Sequence, residues 1–402
     1  MSLTRSIENQ PVTLASAGSI DVSIVIPCLN EAETIKAVVE NALKALNLLN
    51  KRFNLNGEVV VADNGSTDGS TDIAKLAGAR IENIPVKGYG SAIRGGIAGS
   101  TGRFIIIGDA DGSHNFLETL PMVESLLAGN DLCVGSRFKG DIAPGSLPFL
   151  NRYIGNPLLT GLLNLLFGSG LSDAHCGLRA ITRSAFTKLK ATSPGMEFAS
   201  EMLIKASLLK LKRTEVPVTQ HKDGRGRPPH LRPLRDGWRH LRYMLLLAPI
   251  TIFLIPSMIF FCVGTTVYFD LILQNGSILG GVVGTVKIGE HWLLLAVMSI
   301  ILSHTLFLFG VTSFNYSISQ GYRLLGGGWR NLKSILSIEY MLIQSLVLMV
   351  ISAVIISLVF FEWMGQSFRN LEALGPLSLA TTLLLVGIQH FFGSFLVNIF
   401  ND

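Results

Sequence analysis

The C-terminal residues 244–402 limit the fold of this chain more than any other part of its sequence. Four long apolar segments follow one another there, at about 244–272, 291–317, 339–361 and 376–400. A helix needs roughly 20 mostly apolar residues to cross a bilayer, and each segment reaches that length. We therefore expect an all-α transmembrane domain of four helices, and hence a multi-pass integral membrane protein.

Basic residues are concentrated just before the first apolar segment. Residues 205–242 contain eleven Lys and Arg side chains and three acidic ones, although the net charge of the whole chain is only +5. The loop at 319–334 carries three further basic residues. Positive charge is attracted to anionic lipid and is retained on the cytoplasmic side of a membrane. We expect a basic juxtamembrane segment on the lipid bilayer at residues 229–243, with everything before the first span in the cytoplasm.

The part of the chain before the membrane is predicted to be a soluble α/β domain, at residues 21–228, after a loose tail at residues 1–20. Short apolar strands alternate with helices, which predicts a mainly parallel, doubly wound sheet. Polar side chains follow the predicted strands at four positions: Asp63, Asp109, Asp111 and Arg137. Ligands of such sheets bind at the carboxyl ends of the strands, so we expect these side chains to share one crevice. Because no recognised nucleic-acid-binding module is present, we expect no nucleic acid partner.

The segment Gly108-Asp109-Ala110-Asp111 directly follows the apolar strand Phe104–Ile107. Mg²⁺ and Mn²⁺ prefer oxygen ligands and commonly bridge carboxylates to substrate phosphates. Such an ion would offset the charge that develops on a departing nucleoside diphosphate. An isolated Asp-x-Asp is usually a solvated turn, so the metal interpretation depends on the motifs around it.

A second polar turn, residues 63–70, follows the second predicted strand and precedes a helix. It is either an Asx turn with a helix cap, or a site where Asp63 accepts hydrogen bonds from a nucleobase or ribose. Pro27, Asn30 and Glu31, after the first strand, would border the same pocket. Asn30 is also the predicted N-cap of the helix that follows it.

The motifs occur in the order typical of one enzyme family. They are Val25-Ile26-Pro27-Cys28-Leu29-Asn30-Glu31, the Asp63–Gly69 turn, Lys87-Gly88-Tyr89-Gly90, Asp109-Ala110-Asp111, Val134-Gly135-Ser136-Arg137, Asp173–Ala180 and Gly195–Glu201. The chain resembles family 2 glycosyltransferases, and within them the polyprenyl-phosphate and dolichyl-phosphate mannose or glucose synthases. The resemblance implies the GT-A fold, a Rossmann-like nucleotide-diphospho-sugar transferase domain.

The resemblance also implies a role for each group of site residues. The nucleotide-binding residues would be Pro27, Asn30, Glu31, Asp63, Lys87 and Asp109. The cofactor Mg²⁺ or Mn²⁺ would be held by Asp109 and Asp111. The acceptor phosphate would be neutralised by Arg137, Arg179, Arg225, Arg227 and Arg232. The catalytic set would be Asp109, Asp111, Arg137, Arg179 and Glu201.

Three features leave alternatives open. Glu197, Glu201 and Lys205 recur at four-residue spacing, which indicates either a solvent-facing ladder of charges or a contribution of Glu201 to the site. The apolar segment 149–168 is too short and too interrupted to span a bilayer, so it is either an interfacial helix or a core helix. The intramembrane histidines, His304 and His390, are either functional or bonded within the helix bundle.

Two departures from the family limit what can be assigned. Members often carry a second Asp where Asn64 stands, and the mannose synthases usually carry Gln where Ser113 stands. A third metal ligand is therefore not assigned. The sequence also does not specify the sugar or the lipid chain length. It does not specify the oligomeric state either, and a homo-oligomer is one alternative.

The reaction implied by the resemblance is a single inverting displacement. The phosphate of a polyprenyl or dolichyl monophosphate attacks the anomeric carbon of a nucleotide sugar, such as UDP-glucose or GDP-mannose. A phosphate monoester has its second pKa near 6, roughly as in phosphoserine, so no strong general base is required. One alternative is a processive membrane polysaccharide synthase, but its usual Gln-x-x-Arg-Trp motif is absent. The other is a membrane scaffold or lipid-translocation partner that only binds nucleotide.

Overall fold

The sheet confirms the predicted α/β architecture. The computed structural model describes residues 19–226, 233–273, 289, 291–324, 326–368 and 373–400. Its seven strands are β1 Val22–Cys28, β2 Gly57–Asp63, β3 Arg80–Asn83, β4 Phe104–Ile107, β5 Leu132–Ser136, β6 Arg179–Thr182 and β7 Arg213–Pro217. They lie in the order β3-β2-β1-β4-β6-β5-β7. Only β6 among them runs antiparallel to its neighbours, so the sheet is mainly parallel.

Helices cover both faces of this sheet, because most of its central strands are apolar on both faces. The helices are α1 Ile35–Phe53, α2 Ser70–Leu76, α3 Tyr89–Ala98, α4 Leu120–Leu127, α5 Asn156–Phe167, α6 Arg183–Leu189 and α7 Phe198–Leu208. On one face Ile24 and Ile106 contact α1 and α4. On the other face Val25 and Ile105 contact α3 and α7. The two buried layers fix the positions at which the strands end.

The C-terminal part is helical, as predicted. A short helix, α8 Pro233–Leu246, precedes four helices that are long and apolar enough to cross a membrane: Ile250–Leu271, Trp292–Ser319, Ile338–Gly365 and Leu374–Asn398. The mean hydropathy of their most apolar windows is between 1.6 and 2.7. These helices are called the first to fourth spans below.

The intramembrane histidines bond within the bundle, which is the second of the two interpretations. His304 Nε2 lies 3.0 Å from His390 Nδ1, so the second and fourth spans are joined. His304 also contacts Gln389 at 3.1 Å, and His390 contacts Gln344 of the third span at 3.0 Å. Polar side chains inside a membrane are stable when they satisfy one another in this way.

The segment 149–168 combines the two predicted alternatives. It forms a π-helical turn, Asn151–Gly155, which continues into α5. Leu163 is fully buried in the apolar cluster that also contains α7, as expected for a core helix. The opposite face is apolar and exposed, with Phe149 73% and Leu158 67% accessible. An exposed apolar helix face is typical of a helix that lies in a membrane interface.

Candidate active site

The loops after β1 and β2 are joined by hydrogen bonds, and Asn30 is central to them. Its main-chain N–H donates to Ser66 Oγ at 2.9 Å, and its Oδ1 accepts from the Thr67 N–H at 2.8 Å. Asn30 has a φ of 57°, which Asn tolerates better than most residues. The prediction that Asn30 caps the next helix is wrong, because that helix starts at Ile35 and Asn30 is bound to the β2 loop instead.

Asp63 ends β2 and closes its own turn. Its carboxylate accepts hydrogen bonds from the main-chain N–H groups of Gly65 at 2.9 Å and Ser66 at 3.1 Å. This is the geometry of the predicted Asx turn. Pro27 lies beside it, near the end of the neighbouring strand β1. The contact of Asp63 with a nucleobase or ribose stays a prediction.

Asn64 connects the β2 loop to residues 84–88. Its Nδ2 donates to the Ile84 carbonyl at 3.1 Å, and its Oδ1 accepts from the Gly88 N–H at 2.6 Å. An Asp could not make the first of these bonds, because an ionised carboxylate has no donor. This explains the amide at position 64. Lys87 also turns toward this loop, with its Nζ donating to the Asn64 carbonyl at 2.5 Å, and its predicted nucleotide contact stays a prediction.

Asp109 and Asp111 follow β4, and Asp109 has two polar side chains beside it. It accepts a hydrogen bond from Tyr89 Oη at 3.0 Å, and His114 Nε2 lies 3.7 Å from its other oxygen. Burial and the negative charge of Asp111 raise the pKa of Asp109. Burial also lowers the pKa of His114, so this histidine is neutral at physiological pH. Because the neutral His114 does not offset the negative charge of the two aspartates, a bound cation would do so.

Of the arginines predicted to bind phosphate, Arg225 lies beside the carboxylates of Glu31 and Asp111. Its guanidinium lies 3.1 Å from Glu31 Oε1 and 3.1 Å from Asp111 Oδ2. Its Nε also donates to Asp223 at 2.8 Å. Three carboxylates thus surround one guanidinium. Two further arginines, which like Arg225 were predicted to neutralise the acceptor phosphate, lie outside the described residues: Arg227 and Arg232.

The two aspartates of the β4 loop fit a divalent cation that also binds substrate phosphates. In the part of the chain that the structure describes, no group of three or more His, Cys, Asp and Glu side chains is arranged to enclose a metal ion. Mg²⁺ in nucleotide enzymes is commonly bound by one or two carboxylates together with phosphates and water. Asp109 and Asp111 are 28% and 18% exposed at their side chains, so both are accessible from the cleft.

Arg137 forms a closed ion pair at the end of β5. Its Nε and Nη2 donate to Asp173 at 2.6 and 2.8 Å, and its main-chain N–H donates to the same carboxylate at 3.0 Å. The Asp173 side chain is fully buried. Burial favours the neutral acid, but the hydrogen bonds and charge of Arg137 outweigh it and hold the pKa of Asp173 below its usual value. Arg137 is therefore a fixed positive charge.

Arg137 also borders a cavity of about 490 Å³, whose wall includes Asp141 and, from the π-helical turn, Arg152 and Tyr153. The exposed apolar face of residues 149–158 lies beside it. Sequence reasoning missed Arg152, which interrupts an apolar segment and carries no motif. The signal that could have found it is a single cation within an apolar segment predicted to lie at the membrane interface.

Two parts of the chain match known families. Residues 23–190 match glycosyl transferase family 2, and residues 311–401 match the glycosyltransferase family 2 C-terminal transmembrane region. The low-salt glycan biosynthesis hexosyltransferase Agl6 of Haloferax volcanii is 34% identical over 379 residues, which are 94% of this chain and 88% of that protein. This chain belongs to glycosyl transferase family 2. It is a glycosyltransferase and an integral membrane protein, as the sequence predicts.

Other relatives are similar to this glycosyltransferase over its N-terminal half. Glycosyltransferase AglJ of the same organism is 32% identical over 217 residues, 54% of this chain and 68% of that protein. The dolichyl-phosphate beta-glucosyltransferase of Dictyostelium discoideum is 26% identical and covers 50% of this chain and 66% of its own length. A Mycobacterium tuberculosis glucosyl-3-phosphoglycerate synthase, solved with Mn²⁺, UDP-glucose and phosphoglyceric acid, is 25% identical with a TM-score of 0.44, over 56% of this chain and 79% of that one.

Arg179 of this glycosyltransferase is bound to main-chain oxygens. Its guanidinium donates to the carbonyls of Cys176 at 3.0 Å, Ala199 at 2.7 Å and Ala174 at 2.9 Å. It therefore holds the loop before β6 against α7. In that loop a Cβ added to Gly177 would lie 2.1 Å from Asp109 Oδ2, so a larger residue there would displace the Asp109 carboxylate. This geometry supports a role in shaping the site and gives no support to the predicted contact of Arg179 with phosphate.

Glu201 is fully buried, so the predicted solvent-facing ladder is wrong. One carboxylate oxygen lies 2.6 Å from Lys205 Nζ, and the two oxygens accept hydrogen bonds from the main-chain N–H groups of Thr192 and Ser193 at 2.9 and 2.8 Å. Burial opposes ionisation, but Lys205 and these bonds outweigh it and lower the pKa of Glu201. Because its carboxylate is occupied, this geometry supports a structural role for Glu201 and gives no support to the predicted catalytic one.

A pair of histidines next to this site was also missed. The rings of His175 and His240 meet edge to face at 5.0 Å, and His240 Nδ1 lies 2.8 Å from Ser200 Oγ. Burial lowers the pKa of His175 to about 3 and that of His240 to about 4. Both are therefore neutral at physiological pH. His175 lies within the Asp173–Ala180 motif, but His240 is 65 residues further along the chain, and the sequence gives no signal that the two rings meet.

Proposed function

We propose that this glycosyltransferase transfers a hexose from a nucleotide sugar to the phosphate of a polyprenyl or dolichyl monophosphate, with inversion at the anomeric carbon. The family establishes glycosyl transfer, and the relatives act in glycan biosynthesis or on a dolichyl phosphate. The donor and the acceptor are our inference from the cleft and its surroundings.

The cavity lined by Arg137 and Arg152, called the acceptor cavity from here on, is the observation that supports a lipid acceptor. It places Arg137 and Arg152 beside the exposed apolar face of residues 149–158. Guanidinium groups are well suited to phosphate, because their planar fork donates two parallel hydrogen bonds. The isoprenoid chain of the acceptor would follow the apolar face while its phosphate reaches the arginines. A soluble acceptor would gain nothing from that face.

The donor diphosphate is assigned to the opposite side of the cleft. Asp109 and Asp111 would hold Mg²⁺ or Mn²⁺, which when bound neutralises charge on the diphosphate. Three neighbouring segments would border the nucleoside: the end of β1 with Pro27, Asn30 and Glu31, the end of β2 with Asp63, and the loop before α3 with Lys87. Arg225 is close enough to Asp111 to share in binding the same anion.

The chemistry asks little of the protein beyond positioning. The acceptor phosphate is largely ionised at neutral pH and serves as its own nucleophile. Its oxygen forms a bond to the anomeric carbon as the bond from that carbon to the diphosphate breaks, and the diphosphate leaves with the electron pair. Two anions must approach one another, so the arginines reduce their repulsion and fix their orientation.

The orientation and domain limits are part of the proposal. The catalytic domain, residues 21–228, would lie in the cytoplasm, where nucleotide sugars are made, and residues 229–243 would rest on anionic lipid. In support of this, α8 is amphipathic and basic, and its Trp238 is 61% exposed. Aromatic side chains of this kind are enriched at membrane interfaces.

The test is transfer of labelled sugar into the organic phase. Membranes containing the full chain would receive undecaprenyl or dolichyl phosphate and a panel of UDP- and GDP-sugars, with Mg²⁺ or Mn²⁺ and with or without EDTA. We expect an acid-labile labelled lipid from one donor, lost in EDTA. Label in a polymer would favour the processive synthase instead, and nucleotide binding with no transfer would favour the scaffold.

A further inference from the structure

The buried ion pair of α7 lies where the membrane domain contacts the catalytic domain. Glu201 and Lys205 are both fully buried, and Lys205 Nζ also donates to the Lys190 carbonyl at 2.8 Å. On its other side, Lys205 Nζ lies 3.9 Å from the ring centroid of Tyr322. Tyr322 belongs to the loop after the second span, Trp292–Ser319, so a residue of the membrane domain covers the ion pair.

The loop of Tyr322 makes further contacts with the catalytic side. The Tyr322 side chain also packs against the buried apolar cluster that contains Met202 and Leu203 of α7. Arg323 Nη2 lies 3.4 Å from the Leu247 carbonyl, just after α8. The loop is itself fixed to the second span, because the Tyr322 N–H donates to the Ser317 carbonyl at 2.9 Å. Tyr322 is therefore held from both domains.

The segment bound by Glu201 packs against the start of α3 without free space. The Ser91 N–H donates to the Pro194 carbonyl at 3.1 Å. A Cβ added to Gly90 would lie 2.3 Å from the Ser193 carbonyl oxygen, and one added to Gly88 would lie 2.2 Å from that of Pro194. Atoms that are already in contact cannot move independently. A displacement of residues 192–194 must therefore move the first turn of α3.

That turn carries Tyr89, which donates its hydrogen bond to Asp109 at 3.0 Å. We propose that Tyr322 is a positioning residue for sugar transfer: through Lys205 and Glu201 it holds residues 192–194 against α3, so that Tyr89 orients Asp109. The membrane domain then completes the active site in addition to anchoring it. The proposal rests on the proposed function only for its kinetic readout.

The test uses the full chain in lipid nanodiscs with three variants. Tyr322→Ala removes the ring from Lys205, Tyr322→Phe keeps the ring and removes the hydroxyl, and Leu324→Ala changes an exposed side chain of the same loop as a control. Hydrogen–deuterium exchange is measured at residues 88–92 and 190–195. We expect Tyr322→Ala to raise exchange there about tenfold, as for the loss of a desolvated cation–π contact, while β1 exchange stays unchanged.

Kinetics provide the second readout. We expect Tyr322→Ala to lower kcat about tenfold and to raise the Mn²⁺ concentration for half-maximal transfer, because the affected carboxylate is the proposed metal ligand. A merely structural defect would lower the amount of active enzyme and leave that concentration unchanged. Tyr322→Phe should retain most of the activity, since the ring remains over Lys205.

Three outcomes would overturn the proposal. They are unchanged exchange at residues 88–92 in Tyr322→Ala, an equal effect of Leu324→Ala, and an unaltered Mn²⁺ requirement alongside a lowered kcat. Failure of the wild-type protein to transfer sugar to any lipid phosphate would instead refute the proposed function. The exchange result would still decide whether Tyr322 is coupled to α3.

Discussion

The rim and the floor of the cleft both contain arginine and acidic side chains, but they differ in how those charges are paired. The rim consists of Glu31, Asp111, Asp223 and Arg225, in which three carboxylates share one guanidinium. A single arginine cannot neutralise three acids. The rim is therefore left with surplus negative charge, and its Asp111 is accessible from the cleft.

The floor consists of Arg137, Asp173, Arg179, His175 and His240, and its charged side chains are all hydrogen-bonded by other protein groups. Arg137 and Asp173 pair one to one, Arg179 is bound by carbonyls, and the two histidines are neutral. Buried polar groups that satisfy one another fix a shape, whereas unbalanced charge at an accessible edge is available for a ligand. The comparison predicts that substitution of a rim carboxylate that holds the metal affects turnover, and that substitution of floor residues other than Arg137 affects stability.

The largest effect is expected from Asp111→Asn on the rim. Loss of a carboxylate that holds the metal should lower kcat about 1000-fold, or about 4 kcal/mol in the barrier. The unfolding temperature should change little, because Asp111 is partly exposed and the rim has negative charge to spare. Label transfer and thermal unfolding of the purified variant measure the two effects separately.

Asp223→Asn is the matched control, since it removes the same charge from the same rim without touching the β4 loop. We expect it to retain most of the activity. Full activity of Asp111→Asn would remove the metal hypothesis. Equal losses in the two variants would mean that total rim charge matters and that no single carboxylate is a direct ligand.

On the floor, Asp173→Asn should destabilise the protein. Removing one partner of a buried ion pair typically costs about 3–5 kcal/mol, because the other charge is left uncompensated. The folded-state pKa of Asp173 is lowered, so the stability it contributes is present above the unfolded-state pKa and is lost as pH falls through the folded value. Chemical unfolding at pH 7 should therefore show the full loss, and unfolding in strong acid a smaller one.

Glu124→Gln controls for a change of charge alone, because the Arg52–Glu124 pair is half-exposed on both sides. Exposed pairs contribute about 0–1 kcal/mol, so this variant should remain close to the wild type. Similar losses for the exposed pair and for Asp173 would contradict the distinction between rim and floor.

The sheet and the β4 loop were predictable because their signals are local. Four apolar residues before Asp109 specify a buried strand, and a polar residue after a parallel strand must lie at the ligand edge. The four spans follow from length and composition alone. No knowledge of distant contacts is needed for any of these.

Glu201 and Asn30 could not be predicted, because their surroundings come from distant parts of the chain. The charges of α7 resemble an exposed ladder until Tyr322, more than a hundred residues later, covers Lys205. Asn30 is a residue type that often caps a helix. Its main chain is instead hydrogen-bonded to Ser66, and its side chain to Thr67, both in another loop. Spacing within one element cannot distinguish such alternatives.

Arg152 extends the comparison to positive charge. Among the described residues it makes no ion pair. Its guanidinium lies 5.3 Å from the centroid of the Tyr153 ring, and it lines the acceptor cavity together with Asp141. Arg152→Ala should raise the KM for the lipid phosphate about tenfold, since a hydrogen bond to a charged group contributes about 1.5–3 kcal/mol. The KM for the nucleotide sugar should stay unchanged. Arg152→Lys keeps the charge and should be the milder variant, and a shift in the donor KM would contradict the assignment.

The smallest effect concerns the neutral histidines of the floor. The pKa of His240 in the folded protein is about 4, below its unfolded-state value near 6.5, so the unfolded chain binds protons first. Stability is therefore full above the unfolded-state pKa and declines as pH falls toward 4, by less than about 1 kcal/mol for this residue between pH 7 and pH 6. His240→Asn should flatten that decline in thermal unfolding, whereas His221→Asn, which alters an exposed histidine, should not. Identical pH slopes for His240→Asn and the wild type would mean that water reaches His240 and that burial does not lower its pKa in the folded protein.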